Sequence, residues 1–130
     1  MGKTFRQLVR EAREHIHVLS PQEAKRIIDQ GGVMVIDVRE SWEIAQTGTI
    51  PGARNITRGE LEIKADTELP RRDPALQDRS QKIILTCGAG GKATLCAKAL
   101  QEMGFTDVWI IDGGCRGWQE SGYLLAPPQP

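Results

Sequence analysis

The sequence carries no net charge and no block of one sign: 17 Lys and Arg balance 17 Asp and Glu among 130 residues. A broad positive face for nucleic acid is therefore not expected. No run of ~18 apolar residues is present, so no membrane-spanning helix is expected. The first residues, MGKTFRQLVREAR, lack the apolar core of a secretory signal, and Arg6 stands where a myristoylation signal needs Ser or Thr. Cysteine is sparse. Cys87, Cys96 and Cys115 are odd in number and widely spaced, which makes a poor disulfide framework. Histidine is sparser still. His15 and His17 sit two apart in an expected helix, point in different directions and have no Cys-x-x-Cys beside them, so no metal site is expected. These absences together imply a cytoplasmic protein with free thiols.

The length suits one compact domain, large enough to fold without disulfide or metal. TFRQLVREAREHI places Phe5, Leu8, Val9, Ala12 and Ile16 at helical spacing, so residues 1–19 are expected to hold an amphipathic helix at the domain edge. In SPQEAKRIIDQGG, Ser20 is an expected N-cap with Pro21 behind it, Glu23 closing a capping box and Gly31 ending the helix. VMVIDV and KIILTC read as strands buried on both faces, and DVWIID as a third. SWEIAQT reads as a short helix and TIPGARNI as a turn with a short strand. Thr57 and Glu60 spell a second capping box. Residues 66–81 read as a polar, Pro-broken surface loop. Leu95, Cys96, Ala99, Leu100 and Met103 form a helical stripe that Gly104 stops, and GGCRGWQESG reads as a turn and short helix. Residues 124–130 are expected to fray. Strands alternating with helices imply an open, mostly parallel α/β sheet with helices on both faces, whose ligands bind beyond the carboxyl ends of the strands.

That position is occupied by LTCGAGGKAT, residues 85–94. Three readings compete. A phosphate loop fails twice: Thr86 stands where the first glycine belongs and Ala93 where the hydroxyl belongs. A dinucleotide fingerprint fits Gly88-x-Gly90-x-x-Ala93, with Asp112 ending the next strand, but too little chain follows for a second nucleotide-binding half. The third reading makes Cys87 the purpose of the loop. A cysteine between a strand end and a helix start lies under converging backbone N–H groups, a field that favours thiolate over thiol. The glycines let the backbone curl around the sulfur, and Lys92 adds a positive charge at the rim. Against this stands the plain reading of a core cysteine. Cys96, on an apolar helix face, is read as core in that way. Cys115 is read either as a small residue in a turn or as a thiol that resolves an oxidised Cys87. Trp42, Trp109 and Trp118 are expected to be core or half-buried.

Three stretches together, VMVIDVRESWEIAQTGTIPGARNI, KIILTCGAGGKATLCAKALQEMGF and VWIIDGGCRGWQESGY, resemble a single-domain rhodanese, with the likeness running over residues 20–123. It rests on an Asp-x-Arg-Glu after the first strand, an IPGA turn, a Cys-x4-basic loop and a Gly-Gly-x-x-x-Trp ending. The resemblance implies a five-stranded parallel sheet and a sulfurtransferase. Such an enzyme moves sulfane sulfur from a donor such as thiosulfate to a thiol or cyanide, through a cysteine persulfide. It implies Cys87 as the carrier; Gly88, Ala89, Gly90, Gly91 and Lys92 as the loop facing the outer sulfur; Arg58 at the pocket edge; and Asp37 and Arg39 as supports of the loop. It implies no metal and no cofactor. The implied partners are a small sulfur donor and its acceptor, which can include a protein; a monomer or weak dimer is expected. Lys92 replaces the usual arginine and Thr49 the usual histidine of the IPGA turn, so modest thiosulfate activity is expected. Related phosphatases carry a Cys-x5-Arg loop, whereas here the sixth residue after Cys87 is Ala93 and no arginine follows, which disfavours phosphatase activity. Family members without the cysteine serve only as binding modules. A non-catalytic thiol or partner-binding module is thus the alternative reading.

Overall fold

The computed structural model describes residues 1–129. The chain order is α1 (Phe5–Arg13), β1 (His17–Leu19), α2 (Pro21–Gln30), β2 (Val33–Asp37), α3 (Ser41–Thr47), β3 (Arg54–Asn55), α4 (Arg58–Ala65), β4 (Lys82–Thr86), α5 (Gly91–Glu102), β5 (Val108–Ile111) and α6 (Gly114–Glu120), with one 3-10 turn at Pro74–Leu76. The five strands pair in parallel in the order β1-β5-β4-β2-β3. The order reverses between β4 and β2: the chain leaves β4 toward one edge and β2 toward the other. The crevice between their carboxyl ends is the place where this kind of sheet receives ligands.

Period-two alternation builds a core on each face of the sheet. Ile36, Val38, Ile83, Leu85, Val108 and Ile110 pack with Leu61 of α4 and Ala97 and Leu100 of α5. Their neighbours Val35, Ile84 and Ile111 turn the other way, onto Ala24 of α2 and Trp118 of α6. Each fully buried aliphatic side chain here contributes about 1.5–3 kcal/mol, which explains why the strand sequences are nearly continuous apolar runs. Ser20 caps α2 as expected, accepting from the Glu23 N–H while the Glu23 carboxylate accepts from the Ser20 N–H.

Five expectations need correction. Residues 1–19 are not helical throughout: α1 ends at Arg13, His15 lies in the turn that follows, and His17 begins edge strand β1, its ring 4.7 Å from that of Trp109. A three-residue strand is too short to declare its own period, and its pairing with β5 decides it. Thr57 makes no side-chain cap bond, although Thr4 forms an unforeseen capping box with Gln7. Trp42 is 63% exposed. The polar loop of residues 66–81 buries Leu76. The tail is tied down as far as residue 129: Thr49 and Ala126 exchange two backbone hydrogen bonds of 2.7 Å, and the Gln129 N–H donates to Ala53 O. Pro130, the last residue of the expected frayed tail, lies outside the described residues.

Candidate active site

Strand β4 ends at Thr86, and α5 starts five residues later. The turn between them carries Cys87, which is 97% buried by residue surface, since only 3% remains exposed. Gly90 makes the turn possible with φ +109°, a backbone region that side chains resist. In this conformation the Gly90 N–H donates to Cys87 Sγ at 3.0 Å and the Ala93 N–H approaches it at 3.5 Å. The sulfur thus lies at the amino end of α5, among N–H groups that have no partner within the helix. A pocket of about 230 Å³ opens above it, lined by Phe5, Arg39, Glu43, Gly88, Ala89, Gly91 and Lys92 together with Cys87.

The turn is braced from α6. The Cys115 N–H donates to Cys87 O at 2.8 Å and the Arg116 N–H to Gly88 O at 3.0 Å. At the end of β2 and just after it lie Asp37 and Arg39, both buried, with Arg39 lining the same pocket. Arg39 grips the Asp37 carboxylate with Nε at 3.1 Å from Oδ1 and Nη2 at 2.8 Å from Oδ2. The same guanidinium donates to Thr47 Oγ1 and Gly48 O. Burial alone would lower the Arg39 pKa, but hydrogen bonding and charge from Asp37 outweigh it and hold the pKa above its ordinary value. Thr49, which raised a question in the sequence, donates its own hydrogen bond of 2.6 Å to Asp37 Oδ2. Asn55 donates to the carbonyls of Asp37 and Arg39.

Cys115 belongs to this bracing and not to the Cys87 pocket. Its sulfur lies 3.5 Å from Arg39 Nη2, 3.6 Å from Thr86 Oγ1 and 3.7 Å from Asp37 Oδ2. It packs in the core on the α2–α6 side, while Cys87 packs on the α4–α5 side. Burial and, after it, the Asp37 charge push the Cys115 thiol up to about 11, which opposes the resolving role. Burial pushes Cys96 up to about 12, in keeping with a core thiol.

The structure brings Cys87, Gly88, Ala89, Gly91, Lys92 and Arg39 around one pocket, with Gly90 in the turn beneath and Asp37 behind Arg39. Arg58 lines a neighbouring depression with Glu40, Glu62 and Lys92, not the pocket of Cys87. Sequence reasoning missed Phe5 and Glu43. Phe5 reaches over Gly91 from α1, more than eighty residues away in the chain, and Glu43 reaches Lys92 at 3.8 Å from α3. No local pattern announces either contact. A larger depression of about 600 Å³ at the amino ends of the strands, lined by Gly32, Val33, Arg54, Gln81 and Gln129 among others, holds no nucleophile. Among the described residues no three His, Cys, Asp or Glu side chains gather to hold a metal ion, and no helix is long and apolar enough to cross a membrane.

A family model described as a rhodanese-like domain matches residues 20–121. The chain belongs to this rhodanese-like family. A rhodanese-like relative, the thiosulfate sulfurtransferase GlpE of Ectopseudomonas mendocina, is 29% identical over 104 residues, spanning 78% of this chain and 83% of its own. A solved structure from Rhodopseudomonas palustris CGA009, RPA3614, superposes with a TM-score of 0.91 at 30% identity, covering 97% of this chain and 96% of that one. It is described as a protein of unknown function and possible tyrosine phosphatase. The polysulfide-sulfur transferase homodimer of Wolinella succinogenes superposes with a TM-score of 0.72 at 26% identity, covering 95% of this chain and 87% of that one. The rhodanese-like match begins after α1 and β1, so Phe5 reaches the pocket from outside the matched segment.

Proposed function

We propose that this protein is a sulfurtransferase that carries sulfane sulfur on Cys87. The observation that carries the reading is the placement of the Cys87 sulfur under the Gly90 and Ala93 N–H groups, at the floor of a pocket open to small molecules. In the first half-reaction the Cys87 thiolate attacks the outer sulfur of a donor. With thiosulfate, the donor S–S bond breaks, its electron pair leaves on sulfite, and a persulfide remains on Cys87. The terminal sulfur then carries the negative charge, and the turn's N–H groups and the amino end of α5 stabilise it. In the second half-reaction cyanide or a thiolate attacks that outer sulfur, and the electron pair of the breaking S–S bond returns to Cys87. Gly88, Ala89, Gly90 and Gly91 supply the backbone of the cradle, and Lys92 supplies a mobile positive charge at the mouth. Asp37 and Arg39 hold the crevice in shape. Arg58 acts from the neighbouring depression on the approach of anions. The relatives named for thiosulfate and polysulfide sulfur transfer support the same chemistry.

The description of RPA3614 motivates a phosphatase reading, and the site argues against it. The turn that follows Cys87 contains no arginine to grip a phosphoryl group. Intact-protein mass after brief exposure to thiosulfate or polysulfide tests the proposal. Wild type gains ~32 Da, one sulfur, and Cys87→Ser gains nothing. No adduct with either donor, or hydrolysis of an aryl phosphate by wild type, would overturn it.

A further inference from the structure

Two charged side chains stand at the mouth of the Cys87 pocket, and their signs are opposite. Lys92 Nζ lies 3.8 Å from Glu43 Oε1, and the side chains keep 46% and 27% of their surface exposed. Lys92 sits in the first turn of α5, where the helix dipole opposes a cation. Glu43 is fixed by the first turn of α3, its Oε1 accepting the Glu40 N–H at 3.1 Å. The third charged group of the pocket, Arg39, is committed to Asp37, Thr47 and Gly48. Arg6 and Arg10 line a groove along α1 that shares Phe5 and Gly91 with the pocket, Arg116 lines an adjoining pocket that shares Gly88 and Ala89, and Arg58 lines the neighbouring depression with Glu40 and Glu62. Apart from Arg39, the residues lining the Cys87 pocket itself carry one positive and one negative charge. A dianion such as thiosulfate meets repulsion from Glu43 along with attraction from Lys92. A small molecule with an ammonium and a carboxylate satisfies both, and Phe5 and Ala89 give its carbon skeleton an apolar wall.

We propose, resting on the sulfur-transfer reading above, that the small thiol exchanging sulfur with Cys87 is a zwitterionic amino-acid thiol of the cysteine type, its ammonium received by Glu43 and its carboxylate by Lys92. The acceptor thiol passes its proton to the outer sulfur of the Cys87 persulfide anion, and the resulting thiolate attacks that sulfur. A new S–S bond forms, the Cys87 S–S bond breaks with its electron pair returning to Cys87, and the proton stays on the transferred sulfur. Glu43 and Lys92 determine specificity and take no part in bond making.

Single-turnover discharge separates these roles. The protein is loaded with inorganic polysulfide, freed of excess, and mixed with cysteine, cysteamine or N-acetylcysteine while the extra sulfur mass is followed. Comparing a variant with wild type for one thiol at a time cancels the thiols' own reactivities. Glu43→Gln keeps an oxygen for the Glu40 N–H and so preserves the α3 cap. It is expected to slow cysteine and cysteamine, which carry the ammonium, about fivefold more than N-acetylcysteine. Lys92→Gln is expected to slow cysteine and N-acetylcysteine, which carry the carboxylate, by a similar factor more than cysteamine. Equal effects of either variant on all three thiols would overturn the proposal while leaving sulfur transfer standing. Failure of wild type to load sulfur at all would instead overturn the sulfur-transfer reading beneath it.

Discussion

Asp37 has no exposed surface, and its carboxylate accepts from the Arg39 backbone, the Arg39 guanidinium and Thr49. Removing one charge from such a pair strands the other in a medium that solvates it poorly. Asp37→Asn is accordingly expected to lower unfolding free energy by about 3–5 kcal/mol. Thr49→Val deletes one neutral donor and leaves the ion pair intact, with an expected cost of about 1 kcal/mol. Urea denaturation of the two variants checks the order. Equal small losses would show that water reaches Arg39 once Asp37 is neutralised.

Two elements meet where the turn after β4 touches the start of α6. Gly114, at φ +58°, comes so near that a Cβ built there would lie 2.4 Å from Cys87 O. Gly114→Ala must push α6 away from the turn, breaking the Cys115 N–H to Cys87 O bond. Overpacking of this kind costs about 1–3 kcal/mol, and sulfur loading of Cys87 is expected to fall with it. Gly59, inside α4, has ordinary backbone angles and open space where a Cβ would go. Gly59→Ala is expected to stabilise by about 0.5–1 kcal/mol through helix propensity. Thermal melts of both variants, read beside the mass adduct, check whether close approach at Gly114 controls the site.

At the scale of the whole molecule, stability is expected to fall in alkali through the buried thiols. Cys96 and Cys115 rise from an ordinary value of 9.0 to about 12 and about 11, chiefly by burial. Both are neutral in the folded chain well above pH 9, whereas the unfolded chain loses these protons there. The folded state then binds more protons, so stability falls as pH rises. The contribution is complete below about pH 9 and is progressively lost between about 9 and 12. A Cys96→Ala, Cys115→Ala double variant is expected to show a shallower loss over this window, even though it starts less stable at neutral pH. Denaturant midpoints measured at pH 7.5 and 10 for both proteins check it. A parallel loss in the two would assign the alkaline sensitivity to other groups.

Much of this fold is local chemistry and was legible in the residue order. Buried parallel strands announce themselves because both faces must be apolar, as in VMVIDV and KIILTC, and Ser20 with Glu23 announces a helix start because both bonds close within one turn. Cys87 was legible as well, since a strand end, a glycine-rich turn and a helix start fix where backbone N–H groups point. The strand His17–Leu19, the tied-down tail and the exposed Trp42 were not, because each depends on what lies beside it across the sheet or fails to. The same holds for the rest of the site. Phe5 over Gly91, Glu43 opposite Lys92, Thr49 on Asp37 and Cys115 beside Arg39 join segments far apart in the chain. The sequence by itself determined where Cys87 stands and the turn that cradles it, because those interactions span only a few residues. Only the tertiary structure decided what surrounds the sulfur, because the crevice forms beyond the ends of β2 and β4, its walls arrive from α1 and α3, and α6 holds the turn beneath.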